Sequence, residues 1–505
     1  MTETKYLKGF PLIISTIAVS LATFLIVLDY SIANIAIPYI AGDLAASPDQ
    51  GIYVITAFAV GSAISLPLSG WLTKRVGLIR LIVLSLLGFV ALSWVCGVSI
   101  SLTMLVIARF LQGLAAGPLI PLSQTLTIQM FPPEKRNSAL AFWSTVVIVA
   151  PVLGPVLGGW ISYDIHWSWI FFINIPLGLF AAAVIHFFLK AFETPREKVS
   201  TDWIGLLLLA IAVTCLQFLL DKGEQYDWLN SPIIRTCAAT SLICFVFLVA
   251  YELTRKAPLL ELRLLKIPSY TLSIIFIATM YAVYFGGVVL VPLWLQEYMG
   301  YTPIWAGIAV APIGIIPMLF SAPIARLVNK IGAILPLGIS LIFFALSSFD
   351  GAFFNTDVDL FHVGISRFLF GLGLLFFLVP LFNLSVRDIP QDKLPSSTGM
   401  FHFVRAMMGG VGTSVFTTLW VRRSAFHHAN LAAQVVPARD PVDNFYGQLD
   451  QIGITGEKAQ TIVNDMIDKQ ASVLGINDCF YLMGWIFIAM LAILLIGKRK
   501  KRRLA

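Results

Sequence analysis

The chain has 505 residues, 58% hydrophobic and only 12% charged, with a formal net charge of +7 and a mean hydropathy of +0.86. Soluble globular proteins carry about 25% charged residues, so a soluble enzyme is excluded, and 37 Phe with 12 Trp exclude disorder. Continuous apolar runs of about twenty residues require membrane-spanning helices rather than the short alternating strands of a barrel.

The first run follows Lys5 and Lys8 and begins like a signal peptide. It outlasts a signal h-region of about 7–15 residues and lacks a small-residue cleavage site, so it reads as an uncleaved span. Fourteen spans are expected in all. Six lie near 12–38, 51–72, 79–98, 102–126, 138–162 and 169–189. Two follow near 203–220 and 232–251, and six more near 270–295, 304–327, 333–350, 360–385, 398–421 and 479–497.

Charge placement tests this count. With the N-terminus in the cytoplasm, 24 Lys and Arg fall on the cytoplasmic side, including six in the tail Lys498–Arg503. The opposite side holds 7, five of them in the long segment 422–478. This bias obeys the positive-inside rule and predicts cytoplasmic termini. It also explains the basic tail as topogenic, so no nucleic-acid partner is expected. The five cysteines show no CxxC or other metal spacing, which reads as small core residues without a metal site.

The two six-span sets repeat. Ala108-Arg109-Phe110-Leu111-Gln112-Gly113 matches Ser366-Arg367-Phe368-Leu369-Phe370-Gly371. Lys74-Arg75-Val76-Gly77 matches Asn329-Lys330-Ile331-Gly332, and Pro38 matches Pro292. The offsets of 258, 255 and 254 are nearly one value, which implies two parallel bundles. The expected organisation is therefore a bundle over 1–195, two inserted helices over 196–266, a second bundle over 267–497 containing the loop 422–478, and a tail over 498–505.

Ionisable groups inside spans are expensive and mark function. Asp29 is the acidic residue deep in a span of the first half. It faces a wet cavity, or a partner such as Asn34 or Arg109, and a buried carboxylate is the chemistry of a reversible proton carrier. In the second half Arg367 is the repeat mate of Arg109, His402 and Arg405 lie in span thirteen, and Glu297 stands at the outer end of span nine. His402 is the side chain that titrates near neutral pH, although a histidine in a helical bundle commonly serves packing. Gly154, Gly158 and Gly159 form a small-residue face that brings helix backbones close in lipid.

Several of these segments resemble the fourteen-span drug:proton antiporters of the major facilitator superfamily, EmrB-type exporters in particular. Leu28-Asp29-Tyr30-Ser31-Ile32-Ala33-Asn34-Ile35-Ala36-Ile37-Pro38 is similar to the span-one signature LDxTIxNxAxP. Gly70-Trp71-Leu72-Thr73-Lys74-Arg75-Val76-Gly77 resembles the loop motif after span two, which extends to Arg80. Arg109 to Gln112-Gly113 resembles the span-four motif, and Gly154-Pro155-Val156-Leu157-Gly158-Gly159 the antiporter motif of span five. Trp169-Ile170-Phe171-Phe172-Ile173-Asn174-Ile175-Pro176 is a further match. One departure stands out: the superfamily's loop motif has an Asp where Lys74 stands, so that salt-bridge role is not carried over.

The resemblance implies a major facilitator fold and proton-coupled efflux of amphipathic compounds by alternating access across the bacterial inner membrane. Asp29 and Arg109 would carry the coupling, and no cofactor is implied beyond the proton gradient. It also implies a periplasmic adaptor (membrane fusion) protein and an outer-membrane channel as partners, docked through 422–478. Two alternatives remain: a dedicated exporter of one metabolite such as a siderophore or peptide, and a membrane-embedded transferase or sensor without flux. No P-loop is present, and no His/Asp/Ser cluster of an intramembrane enzyme appears at either face.

Overall fold

Proline and glycine positions set how the apolar runs fold. The structure is a computed structural model that describes residues 7–198, 202–255, 258–436 and 440–504, all-helical in its regular elements. Lys5 and Lys256 fall outside those residues, as do the side chains from 496 onward, which include the basic tail.

Helix α1 spans Phe10–Asp43 and is followed by the single turn α2 (Pro48–Gly51). Expected span two is a broken pair, α3 (Tyr53–Ser65) and α4 (Ser69–Val76), bent by 62°. The break falls at Pro67, which has no N–H to donate and clashes with the carbonyl one turn back. Helix α5 covers Leu78–Gly97. Span four divides at Gly117-Pro118 into α6 (Leu102–Ala116) and α7 (Leu119–Met130), and α8 covers Arg136–Asp164. Then come α9 (Trp169–Phe172) and α10 (Asn174–Phe188), and the two inserted helices α11 (Trp203–Lys222) and α12 (Pro232–Thr254).

Helix α13 (Pro268–Glu297) carries Pro292 where α1 carries Pro38. Helices α14 (Pro303–Val310) and α15 (Pro312–Ile331) break at Pro312, and α16 (Ile334–Gly351) and α17 (Leu360–Val386) follow. The chain ends with α18 (Leu394–Ala432), α19 (Asp440–Gln451) and α20 (Glu457–Leu504). Among the described residues, ten helices are long and apolar enough to cross a membrane, or eleven if the bent pair α3–α4 counts as one span. The expected intervals 138–162, 304–327 and 398–421 are occupied by α8, by α14 with α15, and by α18.

Between the last two expected spans, the polar segment 422–478 is helical over most of its length: α18 runs on to Ala432, α19 lies within it and α20 begins at Glu457. Apolarity marks only the part of a helix that needs lipid, whereas the helix itself continues wherever side chains find partners. Here Trp420 Nε1 donates to the Ser472 carbonyl at 3.0 Å. Arg423 and His427 both reach Asp478, at 2.6 and 2.7 Å, while His428 turns to Asp468 at 3.3 Å. The adjacent histidines thus serve different acids.

The chain divides into two compact units. The first holds residues 1–279 with 317–336 and 377–408; the second holds 280–316, 337–376 and 409–505. In the first unit α11 and α12 pack on each other, tied by Ser241 Oγ donating to the Ala212 carbonyl at 2.9 Å. Only 22% and 17% of their most apolar stretches are buried, against 72% for α17, so the inserted helices stand at the lipid edge. The core of the second unit is aromatic, with Phe344 against Phe370 at 4.6 Å and Phe487 at 5.0 Å.

Candidate functional site

Two glycines bring α3 and α6 together. A Cβ on Gly61 would strike the Phe110 backbone, and one on Gly113 the Phe58 backbone, so the helices touch main chain to main chain. That approach lets Arg109 of α6 reach α3: its Nε donates to the Val54 carbonyl at 3.2 Å, and its guanidinium lies 4.3 Å over the Phe58 ring. Phe171 covers it from another side at 5.3 Å.

Arg109 Nη1 donates to Asp29 Oδ2 at 2.5 Å and to Gln112 Oε1 at 2.7 Å. The other carboxylate oxygen, Oδ1, accepts from Asn174 Nδ2 at 2.8 Å. Ser93 Oγ accepts from Gln112 Nε2 at 2.8 Å and lies 3.5 Å from Asn174 Nδ2. Asp29 and Arg109 are both fully enclosed. One ion pair therefore ties α1, α3, α5, α6 and α10, and the charge on one carboxylate decides whether it holds.

Sequence reasoning brought out Asp29, Arg109 and Gln112 but missed Ser93 and the role of Asn174. The Asn-Ile-Pro motif at 174–176 held the signal. Asn34 is not a partner of Asp29: its Nδ2 donates to the Tyr30 carbonyl within α1, at 3.0 Å. Pro38 lies within α1, exposed.

The loop motif builds a second site. Gly77 takes φ +96° between α4 and α5, and its repeat mate Gly332 takes φ +78° between α15 and α16, a conformation that favours glycine. Glu193 covers the start of α5, its carboxylate accepting from the Ile79 and Arg80 backbone N–H groups, each at 3.2 Å, with the Arg80 side chain 3.8 Å away. Arg75 lies over Trp71 at 5.4 Å. Lys74, where the family pattern has an acid, pairs with Glu261 at 3.2 Å. Glu261 also takes Lys393 at 3.5 Å, so one acid in the linker after α12 holds both repeats' loops. Nothing in the local sequence marks Glu261 for this, because its partners come from 187 and 132 residues away.

Beside it, the start of α18 lies against the first half. A Cβ on Gly70 would overlap Ser396, and one on Gly399 would fall 2.7 Å from the Leu66 carbonyl oxygen. Thr125 and Thr398 hydroxyls are 3.0 Å apart. His402 is buried, its Nε2 2.7 Å from Gln124 Oε1, among Trp143, Phe382 and Phe401. Arg405 lies one turn further along α18, half-buried, and Glu297 stands exposed at the end of α13.

In the glycine motif, Gly154 and Gly158 face α1. A Cβ on Gly154 would overlap Ser31, and one on Gly158 would come within 3.0 Å of the Ile32 carbonyl oxygen. Gly159 is off this seam, with nothing within 4 Å of a Cβ; the face predicted with three glycines has two. The side chain of Pro155 lies outside the described residues. Arg367 is buried, its Nη2 donating to Ser366 Oγ at 2.9 Å, with its guanidinium 4.9 Å over Phe480.

The profile of the Major Facilitator Superfamily matches residues 19–413. The chain is 41% identical over 499 residues to the multidrug export protein EmrB of Escherichia coli (strain K12), covering 99% of this chain and 98% of that protein. It is also 41% identical to the fatty acid resistance protein FarB of Neisseria gonorrhoeae, covering 97% of each. Among solved structures, the proton:xylose symporter XylE superposes with a TM-score of 0.58 over 96% of this chain and 95% of that one, at 12% identity, a likeness of fold. With its apolar helices, the chain is a multi-pass protein of the bacterial inner membrane and a transporter rather than an enzyme. The protein therefore belongs to the Major Facilitator Superfamily, as an EmrB-type exporter.

Proposed function

We propose that this protein exports amphipathic compounds in exchange for protons by alternating access, and that Asp29 and Arg109 are the coupling pair. The buried Asp29–Arg109 ion pair, shared among five helices, carries the reading. Protonating Asp29 discharges the pair, so proton and substrate compete for conformations rather than for one site. Fourteen spans, both termini in the cytoplasm and two pseudo-symmetric bundles with two inserted helices complete the proposed architecture. The contacts around Glu261, Thr398 and His402 then form a cytoplasmic seal between the repeats. Of the motif glycines, Gly154 and Gly158 hold α8 to α1, and Gly77 shapes the loop.

The relatives' names, multidrug export and fatty acid resistance, support small amphipathic substrates. We further propose that the extension built from α18, α19 and α20 meets a periplasmic adaptor that passes substrate to an outer-membrane channel. Flux of a fluorescent cation into inverted vesicles tests the coupling. A pH gradient should drive uptake in the wild type and fail to do so in Asp29→Asn, and gradient-independent uptake in both would sink the coupling. Crosslinking from residues 440–451 to a co-expressed adaptor tests the partner; full resistance with α19 deleted would count against it.

A further inference from the structure

At the end of the inserted helices that adjoins Glu261, two buried carboxylates meet. Asp202 caps α11, its Oδ1 accepting from the Gly205 N–H at 3.0 Å. The same oxygen accepts from the Tyr251 hydroxyl at 3.1 Å and from Arg255 Nη2 at 3.3 Å. Glu252, in the last turn of α12, accepts on Oε2 from the Leu260 N–H at 3.3 Å. Asp202 and Glu252 are only 2% and 1% exposed. Their remaining oxygens, Asp202 Oδ2 and Glu252 Oε1, have no hydrogen-bond partner among the described residues.

Those two oxygens aim at one point. A Cβ on Gly205 would stand 2.6 Å from Glu252 Oε1 and 3.1 Å from Asp202 Oδ2, so the missing side chain lets them converge. Among the described residues, Arg255 is the one cation within ion-pair distance of either acid, and it pairs with Asp202. Arg263 donates to the Arg255 carbonyl instead. Lys74 and Lys393 are held by Glu261, Arg75 lies over Trp71, and α3, packed on α11, brings no charged side chain. Two anions against one cation leave a negative charge without a counter-charge, away from water. One proton between the carboxyl groups removes that charge and satisfies both orphan oxygens at once.

We propose that Asp202 and Glu252 are a proton-binding pair, with Glu252 Oε1 carrying the proton and Asp202 Oδ2 accepting its hydrogen bond. Arg255 balances the charge that remains. The inserted helices then hold a proton site of their own, on elements other than those of Asp29 and Arg109. Releasing the proton to water sets two anions against each other one peptide away from Glu261, the acid that holds both loops.

At neutral pH exposed carboxylates are ionised, so the carboxylic-acid C=O band in the infrared spectrum of the purified full-length protein reports buried acids. Glu252→Gln and Asp202→Asn should each remove one such band, because either leaves a single acid facing Arg255. The double variant should remove no more than each single one, since one proton is shared. Asp29→Asn should keep the band, which separates this site from the coupling pair whatever that variant does to flux. Glu252→Gln keeps the shape of a protonated acid and Asp202→Asn the oxygen that caps α11, so each carries the test if the other does not fold. A spectrum unchanged in the folded variants overturns the shared proton. So does a rise in wild-type melting temperature with Na+ or Ca2+ that Glu252→Gln lacks, because a metal cation would then bridge the two oxygens.

Discussion

Asp29 and Arg109 are 80 residues apart in the chain and 2.5 Å apart in the fold. The carboxylate is shared with Asn174 and the guanidinium with Gln112 and the Val54 carbonyl. Neither charge reaches water, so each is tolerated only because the other is present.

Removing one member of such a pair costs about 3–5 kcal/mol. Asp29→Asn and Arg109→Gln should each lower the melting temperature of the purified protein, and the double variant should lose less than the sum of the two. Strictly additive losses would mean that the two side chains act independently.

Glu261 joins Lys74 and Lys393 at partly exposed positions, where each pair contributes only about 0–1 kcal/mol. Glu261→Gln should therefore leave thermal stability nearly unchanged but loosen the contact between the repeats. A cysteine at Thr398, in a cysteine-free background, should label faster with a membrane-permeant maleimide when Glu261→Gln is added. Equal labelling would remove Glu261 from the seal.

The glycine motif separates into tight and open positions. Gly154→Ala should be destabilising by about 1–3 kcal/mol, the range for overpacking, because its methyl meets Ser31. Gly159→Ala meets nothing and should stay within about 0.5 kcal/mol of the wild type. Thermal unfolding of both variants decides, and the reverse order would contradict the packing of α8 on α1.

At the start of α17, Asp359 Oδ1 accepts from the His362 backbone N–H at 2.9 Å and contacts the His362 ring. These bonds, the backbone one first, hold its carboxyl below the ordinary carboxylate range. A depressed folded value contributes stability above the unfolded value, near pH 4, and that stability is lost as pH falls through the lower folded value. Asp359→Asn should remove this acid-side dependence from amide exchange in the first turn of α17. The same pH dependence in the variant would assign it to another group.

Local sequence determined the membrane class, the helix intervals, the repeat and the motif identities, because twenty apolar residues in lipid must form a helix wherever they occur. The breaks at Pro67, Pro118 and Pro312 follow from the missing N–H in the same local way. The partners across helices were not legible. Asn174 on Asp29, Glu261 between two lysines, and Arg367 with no acid within ion-pair distance among the described residues all depend on how each helix is rotated about its axis and where it crosses its neighbours. Hydrophobicity does not specify that rotation in lipid, where every face is nearly as apolar as the next; close glycine contacts such as Gly61 with Phe110 and Gly113 with Phe58, and the few buried polar groups, set it only once the chain is folded.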